Sequence, residues 1–250
     1  MNEKEIKEYT KVKPYNESEE KTQQLSRMFN TISGKYDRFN DIMTWGMARA
    51  WRRIALNSLR PLNPKVILDI ATGTGDFGIK AFKYLNPEKV VGVDISDKMM
   101  EIGKDKVIAA GLEGKMNFEV QDCASLPYAE NTFDAATIAF GIRNFEKLNE
   151  SLQQINRVLR PGGQLLILEM NEPQKGILLK GYQLYTRIFV RLTSRLLSED
   201  SRAYDYLTAS MHVFPNGKKL LDILSANGFT TKKHRSFTFG VCSMYLVEKN

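Results

Sequence analysis

A glycine-rich segment at residues 69–78 has the residue pattern best suited to binding a ligand. It reads DIATGTGDFG, in which Gly73, Gly75 and Gly78 satisfy G-x-G-x-x-G. Glycines at this spacing let the backbone turn tightly and approach a ligand at the start of a helix. Asp94 ends the next predicted strand, where a carboxylate can accept hydrogen bonds from both hydroxyls of a ribose. The pattern predicts a site for an adenosine-containing ligand.

Three features favour S-adenosylmethionine over NAD as this ligand. Asp69, at the end of the first predicted strand, would repel a pyrophosphate but suits the ammonium and sulfonium charges of a methionine moiety. Asp122 follows the third strand and can accept a hydrogen bond from an adenine amino group. A chain that ends in a strand hairpin matches class I methyltransferases better than dehydrogenases. Three alternatives stay open: the glycine turn could serve packing alone, Asp94 could cap the helix after Ser96, and Asp122 could be a plain turn residue.

Strands and helices alternate around these residues. Strands are expected at 65–70, 89–94, 117–120, 133–140, 164–169, 229–235 and 240–247, and helices at 76–85, 98–110, 146–159 (stopped by Pro161-Gly162-Gly163) and 217–227. Apolar residues at near-helical spacing also predict two or three helices within 25–60. This order is typical of an α/β fold. We expect the class I methyltransferase, Rossmann-like architecture: a doubly wound, mostly parallel sheet with an antiparallel C-terminal hairpin and an N-terminal helical extension.

Composition limits the alternatives. The chain has 250 residues, 42% of them apolar and 26% charged, which suits one soluble domain at 25–250. The polar residues 1–24 precede this domain, and we expect them to form a frayed tail or an exposed helix. No apolar run reaches the roughly 18 residues that span a bilayer, and the first residues do not resemble a signal peptide. Two cysteines and two histidines cannot form a Cys/His metal cluster, so no metal is expected. Cytoplasmic residence is the expectation.

An amphipathic insertion lies at about 174–200. Its apolar residues fall on one helix face, opposite a row of arginines: Leu178, Tyr182, Tyr185, Phe189, Leu192 and Leu196 against Arg187, Arg191 and Arg195. A basic amphipathic helix suits an anionic bilayer, where it would hold the protein peripherally at the inner face of the membrane, or it can cover an apolar tunnel. An ordinary core-facing helix with a solvated basic side remains the other interpretation.

Three further segments resemble the quinone-biosynthesis C-methyltransferase family, which includes demethylmenaquinone methyltransferase and its ubiquinone-pathway relatives. They are YDRFND at 36–41 running on to Trp51, IAFGIRN at 138–144, and RVLRPGG at 157–163 ending in Leu168-Glu169. The resemblance covers about residues 25–248. The first and last segments are specific to the family, although the LRPGG turn within the last one, like the glycine loop, occurs across many methyltransferases.

The resemblance implies S-adenosylmethionine as the methyl donor, with Thr74, Asp94, Asp122 and Cys123 as contacting positions, and a prenylated quinol as the acceptor. The acceptor would be a demethylmenaquinol, a 2-methoxy-6-polyprenyl-benzoquinol or both. The family pattern usually has Ser and His where this chain has Thr44 and Ala48. No catalytic histidine can therefore be transferred to this chain.

Carbon methylation needs an electron-rich ring, and a quinol becomes one when a hydroxyl loses its proton. Arg143 and Asn144 follow the fourth strand, at the edge where ligands of doubly wound sheets bind. We expect Arg143 to stabilise the anionic oxygen, with a water as the proton acceptor, and Asn144 and Tyr36 to orient the ring, with Asp37 and Asn40 as weaker candidates. A surface ion pair for Arg143 and core packing for Tyr36 are the simpler alternatives.

Other functions fit less well. A dehydrogenase would share the glycine loop. The isoelectric point of 9.2 suggests a nucleic-acid methyltransferase, but the chain lacks the Asn/Asp-Pro-Pro-Tyr/Phe motif, so no nucleic-acid partner is expected. A non-catalytic module would be expected to have a degraded loop. A homodimer is compatible with the sequence.

Overall fold

Seven strands form one sheet in the computed structural model, which describes residues 9, 11–173, 176, 179–186 and 200–250. The strands are β1 Val66–Ile70, β2 Lys89–Asp94, β3 Met116–Val120, β4 Phe133–Ala139, β5 Leu159–Met170, β6 Phe229–Phe237 and β7 Cys242–Lys249. Their order is β3-β2-β1-β4-β5-β7-β6. The first five are parallel, and β7 runs antiparallel to both β5 and β6. The predicted class I methyltransferase, Rossmann-like sheet with an antiparallel hairpin is confirmed.

Helices cover both faces of the sheet. They are α1 Lys21–Met43, α2 Met47–Ser58, α3 Asp76–Leu85, α4 Asp97–Ala109, α5 Leu148–Val158, α6 Ser201–Val213 and α7 Lys218–Ala226, with short 3-10 turns at Arg60–Leu62, Ile142–Asn144 and Thr238–Gly240. Neighbouring strand residues point to opposite faces. Leu68 packs with α5 and α7, whereas Ile67 packs with α2 and α3. Because each face is covered, the inner strands are apolar throughout instead of alternating.

The expectation of a frayed or exposed tail at 1–24 is wrong for several of its described residues. Tyr9 is 1% exposed, and its ring meets that of Phe214 edge-on, with centroids 5.6 Å apart. Lys21 and Gln24 are fully buried in the first turn of α1. The side-chain oxygen of Gln24 accepts hydrogen bonds from the backbone N–H groups of Tyr15 and Asn16. One aromatic ring and side-chain hydrogen bonds hold this segment, and neither produces an apolar period.

The amphipathic insertion is described only in part. Residues 179–186 are helical. Tyr182 and Tyr185 lie half-buried, and the hydroxyl of Tyr185 donates to the carbonyl of Met43 over 3.0 Å. The other residues of the predicted stripe and arginine row lie outside the described residues: Leu178, Phe189, Leu192, Leu196, Arg187, Arg191 and Arg195. Within the described part of the chain, no helix is both long and apolar enough to cross a membrane.

Candidate active site

A pocket opens at the carboxyl ends of the parallel strands, where the strand order reverses between β1 and β4. Ligands of open α/β sheets bind at such switch points. Eight of the ten predicted site residues line this pocket, namely Tyr36, Asp69, Gly73, Thr74, Asp94, Asp122, Cys123 and Asn144. Gly75 and Arg143 lie behind its wall.

The glycine loop adopts the geometry that its sequence predicts. Gly73 and Gly75 have φ angles of +55° and +77°, which side chains with a Cβ rarely adopt. A Cβ on Gly75 would also come within 2.8 Å of the Phe118 ring. Helix α3 begins directly after Gly75, so its unpaired backbone N–H groups and positive dipole end lie beside the pocket.

Asp94 holds the loop and keeps hydrogen-bonding capacity for a ligand. Its carboxylate accepts from the backbone N–H of Gly73 (2.8 Å) and from that of Ser96 (2.9 Å). Burial raises the pKa of Asp94, while these N–H groups act in the opposite direction. The backbone N–H of Ile95 acts on the same carboxylate, and since a carboxylate offers about four lone-pair sites, an acceptor site remains for a ribose hydroxyl. Asp94 therefore both supports the turn into α4 and can bind a sugar.

The carboxylate of Asp69 forms most of its hydrogen bonds with groups of the protein itself. One carboxylate oxygen accepts from the hydroxyl of Thr137 (2.6 Å), and the other accepts from the hydroxyl of Thr72 (2.6 Å) and the N–H of Gly78 (3.1 Å). Burial raises its pKa to about 6, against the effect of these three donors. Asp69 thus fixes the loop first, and its negative charge faces the pocket as a second contribution.

A polar network closes one side of the pocket. The hydroxyl of Thr74 donates to Asp37 over 2.8 Å, and the Lys106 ammonium donates to Thr74, Asp37 and Asp76 at 2.5–2.9 Å. Burial raises the pKa of Asp76, but the surrounding cations outweigh it and hold that pKa well below its usual range. Arg52 is among these cations and also lines the pocket. Thr74 is consequently fixed from both sides.

Asp122 and Cys123 follow β3 and line the opposite end of the pocket. Asp122 is exposed, and one of its carboxylate oxygens accepts from the N–H of Ala124 (2.9 Å), so the remaining oxygen can accept from a ligand. Burial raises the pKa of the Cys123 thiol far above its ordinary value. That thiol is therefore a poor nucleophile.

Arg143 has a buried partner that the sequence analysis did not identify. It is 3% exposed, and its guanidinium donates to the Glu169 carboxylate (2.6 Å) and to the carbonyl of Phe140 (2.7 Å). Burial alone would lower the pKa of Arg143, but Glu169 outweighs it and raises that pKa. Nε of Arg143 has no hydrogen-bond partner among the described residues. The charge lies beneath the pocket wall instead of on its surface.

Asn144 and Tyr36 do reach the pocket. The side-chain oxygen of Asn144 accepts from the hydroxyl of Tyr206 (3.1 Å), which leaves the amide N–H groups to donate. Tyr36 packs edge-on against Phe29, with ring centroids 5.8 Å apart. Burial raises the pKa of Tyr36, and Arg143 lies close enough to lower it partly. A donor amide, a tyrosine and a buried cation therefore meet on one side of the pocket.

Three contributors were not identified from sequence: Lys106, Glu169 and Tyr206. Each acts through a contact that is distant along the chain. Tyr206 had a detectable signal, since Asp200 is an N-cap residue followed by an apolar stripe at 203, 206, 207, 211 and 214, which predicts α6.

The two positions that depart from the family pattern lie outside the pocket lining. Thr44 ends α1 with its hydroxyl on the carbonyl of Asn40, and Ala48 is buried in α2. His212 is mostly exposed and pairs with Glu172 over 2.7 Å. Among the described residues, no group of three or more His, Cys, Asp or Glu could hold a metal.

The arrangement can bind an adenosine-containing molecule along Gly73, Asp94 and Asp122, and can hold a second molecule between Asn144 and Tyr36. The two regions share one pocket. Proximity of this kind suits a group transfer between two bound reactants.

Comparison with known proteins identifies close relatives. A model of the ubiE/COQ5 methyltransferase family matches residues 17–249. The chain is 43% identical to a demethylmenaquinone methyltransferase of Bacteroides fragilis, over 96% of this chain and 98% of that protein. It is 38% identical to the one of Porphyromonas gingivalis (94% and 97%). It is 34% identical to the ubiquinone/menaquinone biosynthesis C-methyltransferase UbiE of Pseudomonas putida (90% and 89%).

Solved structures with the same fold are more distant in sequence. The cyclase SpnF has a TM-score of 0.66 at 17% identity, covering 91% of this chain and 96% of that chain. A SAM-dependent methyltransferase of Thermotoga maritima has a TM-score of 0.63 at 16% identity, covering 90% and 100%. At these identities the likeness shows the fold alone.

Proposed function

We propose that this chain, which belongs to the ubiE/COQ5 methyltransferase family, methylates the ring carbon of a prenylated quinol with S-adenosylmethionine, most specifically demethylmenaquinol. The observation that carries the proposal is the single pocket that joins the Asp94 end of the glycine loop to Asn144 and Tyr36. Of the three relatives named above, the two of higher identity are named demethylmenaquinone methyltransferases, which favours menaquinol over a ubiquinone precursor.

The donor site fits S-adenosylmethionine. A Cβ on Gly75 or Gly78 would come within 2.8 Å of a neighbouring side chain, and the positive φ of Gly73 disfavours a side chain there. Asp94 and Asp122 each keep a free acceptor site toward the pocket. Bound there, S-adenosylmethionine supplies an electrophilic methyl group. Asp94 would bind a ribose hydroxyl, Asp122 the adenine amino group, and Gly73 and Thr74 would hold the methionine end. Asp69 adds negative charge beneath the loop, which offsets the positive charge of the ligand.

The acceptor side would generate and hold a phenolate. One hydroxyl of the quinol loses its proton to a water, and the resulting negative charge spreads onto the ring carbon. The Asn144 amide donates to the ring oxygen, and the Arg143–Glu169 pair lies below with its cation nearest to Tyr36. The methyl group that S-adenosylmethionine would supply would bond to the ring carbon as the sulfur–methyl bond breaks. The ring carbon would then release its own proton to a water, which restores the aromatic ring.

We also propose that the protein binds the membrane through an exposed apolar surface. Apolar side chains from three segments are exposed, namely Trp45 (78%), Met47 (37%), Leu184 (58%) and Phe239 (79%). The indole N–H of Trp45 donates to the hydroxyl of Tyr185 over 3.0 Å, and the Thr238 hydroxyl lies 3.7 Å from the sulfur of Met47. These contacts bring the three segments together. We call the four exposed residues the apolar surface.

The apolar surface suits the interfacial region of a bilayer. Trp45 and Phe239 have φ angles of +51° and +56°, which are strained for large side chains. Two exposed aromatic rings therefore lie at strained backbone positions. Aromatic rings favour the headgroup level, and a net charge of +7 favours anionic lipid. A prenylated quinol lies in that bilayer. Peripheral binding there would bring the pocket to its substrate.

Quinone mass profiling of a cell that lacks the gene tests the proposed function. We expect a menaquinone precursor that is one methyl group lighter to accumulate, and the intact gene to restore menaquinone. Accumulation of a ubiquinone precursor one methyl short would instead assign the benzoquinol as substrate. A normal quinone profile would overturn the quinol proposal.

A further inference from the structure

The side chain of Lys21 carries a charge in a place that is unfavourable for one. It is fully buried, and Nζ has no hydrogen-bond acceptor among the described residues. It is also the first residue of α1, where the positive end of the helix dipole disfavours a cation. Burying an ammonium without a hydrogen-bonded partner destabilises a fold. A lysine at this position therefore costs stability, and the fold does not need it.

Aromatic rings surround this ammonium. Nζ lies 4.6 Å from the ring centroid of Tyr9 and 6.0 Å from that of Tyr206, and a cation over a ring face is held by the charge distribution of the ring. The Tyr206 hydroxyl in turn donates to Asn144, which lines the pocket. Lys21 is thus connected to the acceptor side through one tyrosine.

The charged and titratable groups around Lys21 come from four other parts of the chain. Glu146 lies nearby, but its carboxylate oxygens accept from the backbone N–H groups of Lys21 and Thr22 and from the Thr22 hydroxyl. Arg143 adds a second positive charge from the 3-10 turn after β4. Tyr9 and Tyr206 complete the surroundings. Glu146 attracts the Lys21 ammonium but does not satisfy its N–H donors.

We propose that Lys21 is a positioning residue for the methyl acceptor: its protonated ammonium holds Tyr206 against Asn144 and adds positive charge beside Arg143, which favours the phenolate. This rests on the proposed quinol methylation for its substrate. Features that destabilise a fold locally are concentrated at functional sites. A buried cation without a hydrogen-bonded ion-pair partner is such a feature. Burial lowers the pKa of Lys21 to about 8, against the attraction of Glu146, so the charge is present at neutral pH and is lost in mildly alkaline solution.

The test compares Lys21→Met with the wild-type protein, since methionine keeps the length and removes the charge. We expect kcat for methyl transfer to fall at least tenfold at pH 7, the Kd for S-adenosylmethionine to stay within twofold, and the thermal midpoint to rise. A higher midpoint with lower kcat separates positioning from a structural role, because a structural lysine would lower the midpoint when removed. Tyr206→Phe, which keeps the ring and removes only the hydroxyl, should lower kcat similarly, and the double variant should lose less than the product of the two effects.

The pH dependence supplies the second readout. The ratio of wild-type to Lys21→Met kcat should decline toward one as the pH rises from 7 to 9, because the wild-type protein loses the same charge. Lys21→Arg, which stays charged, should keep at least part of the activity at pH 9. An unchanged kcat in Lys21→Met, or a ratio that is flat with pH, overturns the proposal. If the wild-type protein does not methylate a quinol, the proposed function is refuted instead. The thermal midpoints can be measured whether or not the protein has this activity.

Discussion

Arg143 lies directly after β4, as the sequence predicts, but it has a partner that the sequence does not reveal. Its position after β4 and its neighbour Asn144 predict a charge at the ligand edge, and the structure places it there, but in a buried pair with Glu169. The sequence could not reveal this pair, because Glu169 lies 26 residues away at the end of β5 and its strand reads as plain core. The pair makes the role of Arg143 both electrostatic and structural, and these roles can be separated.

We predict that Arg143→Ala lowers kcat by about 100-fold or more while S-adenosylmethionine still binds, since a preorganised donor or charge at an anionic centre is worth this much. The free energy of unfolding should also fall by about 3–5 kcal/mol, because Glu169 is left buried and unpaired. Arg143→Gln with Glu169→Gln replaces the pair by neutral groups and should restore stability but not kcat. If kcat recovers together with stability in steady-state assays, Arg143 has a structural role only.

Asp94 permits a direct test of the donor site. Asp94→Asn removes the charge and replaces one acceptor oxygen by a donor, so a charge-assisted hydrogen bond to a ribose is weakened. We predict that the Kd for S-adenosylmethionine, measured by calorimetry, rises about 100-fold. Asp97→Asn makes the same change on an exposed carboxylate at the start of α4 and should alter Kd by less than about twofold. Equal effects of the two changes would contradict a ribose contact at Asp94.

At the scale of elements, the parallel strands and the helices between them were predictable, because continuous apolar runs and 3.6-residue stripes are strong local signals. The LRPGG segment was predicted less well. The sequence places Pro161-Gly162-Gly163 in a turn between helix and strand, whereas β5 already starts at Leu159, which pairs with Phe133 before the register shifts and pairing resumes at Gln164. Such an irregularity depends on the neighbouring strand, which local sequence does not specify.

The clustering of candidate residues around one pocket was predictable where one loop and the strand ends determine it, as with Gly73, Asp94 and Asp122. The contacts that distant elements supply were not predictable. Lys106 joins Thr74 from the far end of α4, and Tyr206 reaches Asn144 from α6, 62 residues along the chain. Chain topology fixes these contacts, and spacing within a motif does not.

The apolar surface makes a prediction at the element scale. Replacing Trp45 and Phe239 by asparagine, which accepts positive φ better than most residues, should lower affinity for anionic vesicles about tenfold or more while the thermal midpoint stays equal or rises. Sedimentation with vesicles of phosphatidylglycerol and phosphatidylcholine measures this. Ile108→Ser removes an exposed apolar residue of α4 and should leave binding unchanged. Vesicle binding of the double variant equal to that of the wild-type protein would rule out a membrane contact at this surface.

At the scale of the whole molecule, Tyr9 in the N-terminal segment belongs to the core and not to an appendage. Tyr9 packs in the same apolar cluster as β1, α5 and α7, and its ring is one of the two that face Lys21. The N-terminal segment therefore links the stability of the domain to the acceptor side of the pocket. A tail without function of its own would show neither connection.

We predict that Tyr9→Ala lowers the free energy of unfolding by about 3 kcal/mol or more, as for other buried aromatic rings cut to alanine. Tyr9→Phe is the matched control. The Tyr9 hydroxyl is buried without a hydrogen-bond partner among the described residues, so its removal should leave stability equal or slightly higher. Urea unfolding followed by circular dichroism gives both values. If the free energy of unfolding changes by less than 1 kcal/mol in Tyr9→Ala, the N-terminal segment does not contribute to the core.

The place of β7 between β5 and β6 has a consequence for biosynthesis. A ribosome releases β6 before β7, yet β6 pairs with β7 and has no place on β5. While β7 is still being translated, the apolar edge of β5 has no neighbour and can pair with another nascent chain. The last step of sheet assembly is thus the insertion of a late strand between two earlier ones, and slow translation through residues 229–249 would lengthen the time for which the β5 edge is open to aggregation.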